Sequence, residues 1–172
     1  AGFPQDHPLF RGFLSTAQAR VAGQLSPYDA VLVLGAPVFT YYPYVPGPVV
    51  REGTEVYQIT EDPEEAARAA AGTSLFGDVV LAAGRLAELL PEPARAAPPP
   101  PEPPPVPEAT APMSVAYVMH AVAEALPEGA VVVDESTSSK AVLRRYVRAE
   151  TPDGYHTTAA GGLGFGMPAA VG

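Results

Sequence analysis

The chain has 172 residues, with ten lysines and arginines against nineteen aspartates and glutamates, giving a net charge of −9. That balance offers no basic footprint for nucleic acid, and no apolar run approaches the ~20 residues that a membrane helix needs. The absence of cysteine excludes disulfides and thiolate metal sites and fits a cytoplasmic protein.

In chain order, the spacing of apolar residues predicts a helix over Thr16 to Leu25, a buried strand over Ala30 to Leu34 and a second strand over Glu55 to Thr60. Pro63 to Ala70 reads as a helix with proline at its first position. Asp62, Glu64 and Glu65 are suited to stabilise the positive end of that helix. The lesser alternative for Glu61 and Asp62 is contact with a ribose, as in a nucleotide-binding relative. Ser74 to Phe76 is a short strand and Asp78 to Leu90 a helix. Residues 91–112 divide the chain, because the run from Pro98 to Pro107 can form neither helix nor central strand. It is expected to be a polyproline II linker, with recognition by a proline-binding domain as the other use. Beyond it come a helix over Ser114 to Leu126, a strand over Ala130 to Val133, a helix over Thr137 to Val147, a strand over Tyr155 to Thr158 and a helix over Phe165 to Val171. Strands alternating with helices argue for α/β architecture, with parallel sheets in three-layer αβα units. The expected division is residues 1–90, a linker over 91–112, and residues 113–172.

Two segments carry the chemistry. Val131-Val132-Val133-Asp134 is a short β-branched strand that runs into Glu135 and four consecutive hydroxyls, Ser136, Thr137, Ser138 and Ser139. Open α/β sheets place ligands at the carboxyl ends of strands, and a helix N-terminus there offers unpaired N–H groups and partial positive charge. Hydroxyls at that point can bind a phosphate, or one of them can simply cap the helix. The second segment is Gly161-Gly162-Leu163-Gly164-Phe165-Gly166. It lacks the Lys-Ser or Lys-Thr of a Walker loop and the glycine spacing of a dinucleotide fold. Glycines let a ligand ring approach the backbone closely, with Leu163 placed to support it. A tight strand-to-helix turn with Leu163 in the core accounts for the same residues.

These segments, with His7 to Gly12, Val31 to Phe39, Glu61 to Arg68 and Ala159 to Gly172, resemble the thiamine-diphosphate-dependent 2-oxo acid decarboxylases and carboligases, and among them the benzoylformate decarboxylase subgroup. The similarity covers nearly the whole chain except the proline tract. It implies that Thr137 and Ser138 bind the cofactor's diphosphate and that the carbonyl of Gly161 accepts a hydrogen bond from its aminopyrimidine. Gly162 belongs to the same loop. Leu163 would wedge between the two rings and hold the cofactor bent, with its own amino group beside the reactive carbon. Tyr42 stands where the subgroup has a proton-transferring histidine. A phenol of ordinary pKa near 10 is a poor shuttle at neutrality, though it can hydrogen-bond a carboxylate or carbonyl. Thr157 and Thr158 replace an aromatic residue and a cysteine of the substrate pocket, which implies a different 2-oxo acid or a hydroxylated acceptor.

The resemblance further implies Mg²⁺, although no residue here matches the family's aspartate and asparagine ligands or its activating glutamate. The chain therefore reads as the second half of a central domain followed by the start of the diphosphate-binding domain, inactive alone, from a protein expected to be a homodimer or homotetramer. The competing functions are an acetolactate-synthase-like carboligase and a non-catalytic cofactor-binding or structural domain. His7, His120 and His156 show no metal-ligand spacing. His120 is expected at a helix interface, and Tyr41, Tyr42 and Tyr44 form either a packed loop or a pocket wall.

Overall fold

The computed structural model describes residues 3–5, 7–39, 44–92, 96, 99, 102–149, 151, 153–158 and 162–172. Backbone contacts divide the chain into two units, residues 13–94 and residues 1–12 together with 95–172. The sequence reading grouped the first twelve residues with those up to 90. In the structure the Gln5 N–H donates to the Ala149 carbonyl at 3.0 Å, within the other unit.

The unit of residues 13–94 contains α1 (Gln18–Leu25), β1 (Ala30–Leu34), β2 (Glu55–Thr60), α2 (Pro63–Ala67), β3 (Thr73–Phe76) and α3 (Val79–Leu89). The strands are parallel in the order β1-β2-β3. Ala30 lies opposite Glu55, and Tyr57 opposite Thr73. One turn apart on α1, Val21 and Leu25 face the core. β2 is the central strand and the most buried, through Val56, Gln58, Ile59 and Thr60. Its buried polar groups are paired, as burial demands. Gln58 Nε2 donates to the Ala36 carbonyl at 2.9 Å, and Gln58 Oε1 accepts from Ser74 Oγ at 2.7 Å.

β1 departs from the expected buried strand. Its residues alternate between exposed and half-buried, with Leu32 and Leu34 each 43% exposed. An apolar run of this length suits a strand covered on both faces, but β1 is at the sheet edge and pairs only with β2 among the described residues. α2 begins as expected: Asp62 Oδ1 accepts from the N–H groups of Glu64 at 2.8 Å and Glu65 at 3.3 Å, with Pro63 at the first position. The helix stops at Ala67 rather than Ala70, where the Arg68 N–H closes back on Glu64 and Glu65.

Gly72 is required by close approach. Its φ is +83°, and a Cβ there would lie 2.1 Å from the Val56 carbonyl oxygen. Gly72→Ala is expected to destabilise the chain by roughly 3 kcal/mol, read as a lower urea midpoint. Gly53, with φ +85° and open space around it, is expected to lose only about 1 kcal/mol as alanine.

The second unit contains α4 (Val115–Ala125), β4 (Val132–Asp134), α5 (Lys140–Tyr146), β5 (Tyr155–Thr157) and α6 (Gly166–Val171). Ser114 caps α4 by accepting the Tyr117 N–H at 3.1 Å. α4 packs on α5, where the His120 and Tyr146 rings lie 5.8 Å apart, so His120 is interfacial. β4 and β5 are parallel, pairing Val132 with Tyr155, Val133 with His156 and Asp134 with Thr157. Leu143, Val147, Ala149 and Tyr155 are buried around them. In the run expected to be a buried strand, Ala130 to Val133, Val131 is 60% exposed, and only Asp134 of β4 is fully buried. The described residues between 102 and 112 form neither helix nor strand, and the Pro105 carbonyl accepts from the Tyr146 hydroxyl at 3.2 Å.

Candidate cofactor site

The carboxyl ends of β4 and β5 lie side by side because the strands are parallel and paired through Asp134 and Thr157. Everything that leaves those two ends is therefore held at one edge. Asp134 is the first anchor. Its side chain is fully buried, and Oδ1 accepts from the Ser136 N–H at 2.7 Å and the Ser136 hydroxyl at 2.5 Å. Oδ2 accepts from the Tyr155 hydroxyl, with Lys140 Nζ 3.8 Å away. Lys140 Nζ also donates to Thr157 Oγ1 at 2.8 Å. Burial pushes the Asp134 carboxyl up, but the Ser136 and Tyr155 hydroxyls, the Ser136 N–H and the Lys140 charge outweigh it and hold it below its ordinary value. Tyr155 is pushed up to about 12, by burial first and then by its bond to Asp134.

This turn corrects the expected helix start. Ser136 is bound to Asp134 instead of continuing into a helix, a side-chain bond that competes with helical pairing. α5 begins at Lys140, not Thr137, and Ser139 stands before it without a side-chain cap bond. Thr137 and Ser138 occupy the exposed turn between strand and helix.

Glu135 is the second anchor. Its Oε1 accepts the N–H groups of Gly164 and, at 3.0 Å, Phe165, while Oε2 accepts the Gly166 N–H at 2.8 Å. The Phe165 and Gly166 N–H groups open α6, and a carboxylate there also meets the positive end of the helix. The Gly166 N–H above all holds the Glu135 carboxyl below its ordinary value; burial opposes it, and the Gly164 and Phe165 N–H groups add to it. The glycine spacing has a local reason. A Cβ on Gly166 would lie 2.9 Å from both Cβ and Oε2 of Glu135, and Gly164 takes φ +100°. The two segments singled out in the sequence are thus bonded to each other.

Of the expected site residues, Thr137, Ser138, Gly162 and Leu163 are exposed at this edge, Leu163 to 75%. Leu163 therefore is not a core residue of a tight turn. Thr157 and Thr158 are half-buried, and the Thr157 oxygen is engaged by Lys140. Gly161 and Tyr42 lie outside the described residues, as does Tyr41, while Tyr44 is 76% exposed. Asp134, Glu135, Lys140 and Tyr155 had been given no role. A strand-ending aspartate two residues before a serine is a recognisable Asx-turn pattern, but the partners of Glu135 and Tyr155 depend on register and follow from no local signal.

The residues fit a diphosphate-bearing cofactor in two respects. Two exposed hydroxyls stand together at the edge, and the space where Cβ atoms would sit on Gly162 and Gly164 is open, beside an uncovered Leu163. The backbone donors of Gly164 to Gly166 are taken by Glu135, which leaves the hydroxyls of the turn as the exposed donors at this edge. Among the described residues no three His, Asp or Glu side chains cluster as metal ligands.

The fold class is α/β with parallel sheets, the class that carries its ligands at the carboxyl edge of the strands. No family model matches the chain. Benzoylformate decarboxylase of Pseudomonas aeruginosa is 42% identical over 171 residues, covering 99% of this chain and 32% of that protein. A structure from Mycobacterium smegmatis described as a thiamin diphosphate-dependent enzyme superposes with TM-score 0.90 at 44% identity, over 98% of this chain and 33% of that one. The thiamine diphosphate-dependent 4-hydroxybenzoylformate decarboxylase of Rhodococcus jostii gives TM-score 0.90 at 35% identity, and benzoylformate decarboxylase of Polynucleobacter necessarius 0.91 at 32%, each over 98% of this chain and 32% of theirs. Over nearly its whole length the chain is similar to thiamine-diphosphate-dependent enzymes of the benzoylformate decarboxylase type. It spans about a third of the length of the relatives it matches. Among the described residues no helix is long and apolar enough to cross a membrane.

Proposed function

We propose that this chain supplies the diphosphate-side seat of thiamine diphosphate in a 2-oxo acid decarboxylase of the benzoylformate type. The observation that carries the reading is the bonding of Glu135 to Gly164, Phe165 and Gly166, which holds the hydroxyl turn and the glycine loop at one edge within reach of one small molecule. Thr137 and Ser138 donate to the diphosphate. Gly161 offers its carbonyl to the aminopyrimidine, and Leu163 supports the bend between the rings. Bound there, the cofactor supplies the nucleophilic carbon and the electron sink for decarboxylation. The protein's part is position. Asp134 fixes the hydroxyl turn through Ser136, and Glu135 fixes the loop that bears Leu163.

Thr157 and Thr158 leave the β5 end toward the substrate side, where they give a smaller and more polar wall than an aromatic residue and a cysteine. Tyr42, at the position of the subgroup's proton-transferring histidine, would hydrogen-bond the substrate carboxylate or carbonyl. The 2-oxo acid is the partner that the similarity to benzoylformate decarboxylase supports. The exposed Leu32, Leu34, Leu75 and Phe76 of the three-stranded sheet support association with further chain or with another copy.

The test is calorimetric binding of thiamine diphosphate and of unphosphorylated thiamine. The double variant Thr137→Ala, Ser138→Ala is expected to bind thiamine diphosphate about tenfold or more weakly, since each hydroxyl donates to a charged acceptor, with thiamine binding unchanged. Equal affinity for thiamine diphosphate in the variant overturns the reading.

A further inference from the structure

A cavity of about 440 Å³ opens at the far end of α5 from the hydroxyl turn and is lined by Gln5, Phe10, Arg11, Arg144, Arg145 and Arg148. Four arginines lining one cavity in a chain of net charge −9 call for a physical reason, because like charges gathered at one place repel. The negative end of α5 accounts in part for Arg144 and Arg145, which occupy its last turn. It does not account for Arg11, which comes from a different segment, or for Arg148, which lies past the helix end. Arg144 is held in place by its bond to the Tyr155 hydroxyl at 3.3 Å and by stacking over the Tyr155 ring at 5.4 Å. Arg11 is oriented by donating Nη1 to the Pro8 carbonyl at 2.9 Å and the Phe10 carbonyl at 3.2 Å. Among the described residues neither Arg145 nor Arg148 has an ion-pair partner.

A second, independent observation lies at the same place. Gln5 is 1% exposed, and both Oε1 and Nε2 of its side chain lack a hydrogen-bond partner among the described residues. Its backbone N–H is fixed to the Ala149 carbonyl, so the amide is held at the cavity rather than stranded on a loose end. A buried amide with nothing to bond is rare in folded proteins and marks a place where another molecule completes the pairing. Guanidinium forks match the oxygens of phosphate in shape as well as charge. The volume falls in the range of small-molecule sites, and half-buried Phe10 gives it a flat apolar wall.

We propose that this cavity binds a small phosphate-bearing anion, with the phosphoryl oxygens on Arg11, Arg145 and Arg148 and the Gln5 amide completing the seat. The site is separate from Thr137 and Ser138, which precede the first residue of α5, and it stands whether or not the hydroxyl turn holds thiamine diphosphate. Two sources share this chemistry, free pyrophosphate and the diphosphate end of a nucleotide, so inorganic pyrophosphate and ADP are both used as probes.

Binding is measured by calorimetry at low salt with the 172-residue chain, its Thr137→Ala, Ser138→Ala double variant, and that variant carrying Arg145→Gln and Arg148→Gln as well. The arginine pair, made in the Thr137→Ala, Ser138→Ala background so that the hydroxyl turn does not contribute, is expected to weaken pyrophosphate binding by about tenfold or more. Arg148→Lys, which keeps the charge and loses the fork, is expected to fall between. Should the arginine pair fail to fold, Arg145→Gln alone, at an exposed position, gives the same direction with a smaller effect. Tighter binding of ADP than pyrophosphate identifies a nucleotide with its base against Phe10, and equal binding identifies the inorganic anion. The proposal is overturned if neither probe binds, if the arginine variants bind as tightly as the parent, if only the hydroxyl pair loses affinity, or if a glutamate-rich peptide binds in an arginine-dependent manner while both phosphates do not.

Discussion

Asp134→Ala is expected to lower the unfolding free energy by about 3–5 kcal/mol, the range for removing one member of a buried charged network. The size follows from what is left behind. The Ser136 N–H and hydroxyl, the Tyr155 hydroxyl and the Lys140 ammonium all point at a carboxylate whose side chain is fully buried. Asp134→Asn keeps one acceptor oxygen for Ser136 and puts an amide toward Tyr155, so about 1–2 kcal/mol is expected. Tyr155→Phe is expected in the same range, and a double-variant cycle of Asp134 with Tyr155 should show coupling. Urea denaturation followed by far-UV circular dichroism measures all three. Asp134→Ala unfolding at the parent midpoint would remove Asp134 as the anchor of the hydroxyl turn. An alkaline signature follows from the same network. Tyr155 is raised from 10.0 to about 12, so its contribution is complete below pH 10 and lost as the pH rises through about 12.

The element order was legible because each helix and strand carries its own period and punctuation. Asp62-Pro63 and Asp78 announce their helices by capping chemistry, and the structure uses both aspartates as caps. The failures share one cause. An apolar run such as Ala30 to Leu34 says that a strand exists, but whether it is central or at an edge depends on which strands join it, and β1 joins only β2. The start of α5 was misplaced by three residues because the hydroxyls after Asp134 read equally well as caps. What displaced them was one side-chain bond pair from Asp134 to Ser136. At the site, Thr137, Ser138 and Leu163 were visible by type. Glu135 and Tyr155 acquire their roles only when parallel pairing brings residues 21 to 31 positions apart into contact, a relation that no window of sequence contains.

Glu135→Gln is expected to loosen the glycine loop while leaving the strands that precede it intact. The carboxylate accepts three backbone donors with two oxygens. An amide offers one oxygen, so either the Gly166 donor or the Gly164 and Phe165 pair must lose its acceptor. Hydrogen exchange at the amides of Gly164, Phe165 and Gly166 is expected to speed up by about tenfold or more, with little change at the strand amides of Val132 and Val133. Gly166→Ala should act in the same direction, because its Cβ would sit 2.9 Å from Cβ and Oε2 of Glu135 and push the carboxylate off its donors. Acid should mimic both. The Glu135 carboxyl is held below its ordinary 4.5, so the unfolded loop takes up the proton more readily than the folded one. The bonds then contribute fully above that value and are lost as the pH falls through the lowered folded value. Asp134 is shifted in the same direction, so the parent should lose both anchors on acidification, whereas Glu135→Gln should retain only the Asp134 step. Exchange at Gly164 to Gly166 that is already fast in the parent at neutral pH, or that ignores acid once intrinsic rates are corrected, would dissolve the link between hydroxyl turn and glycine loop on which the cofactor seat depends.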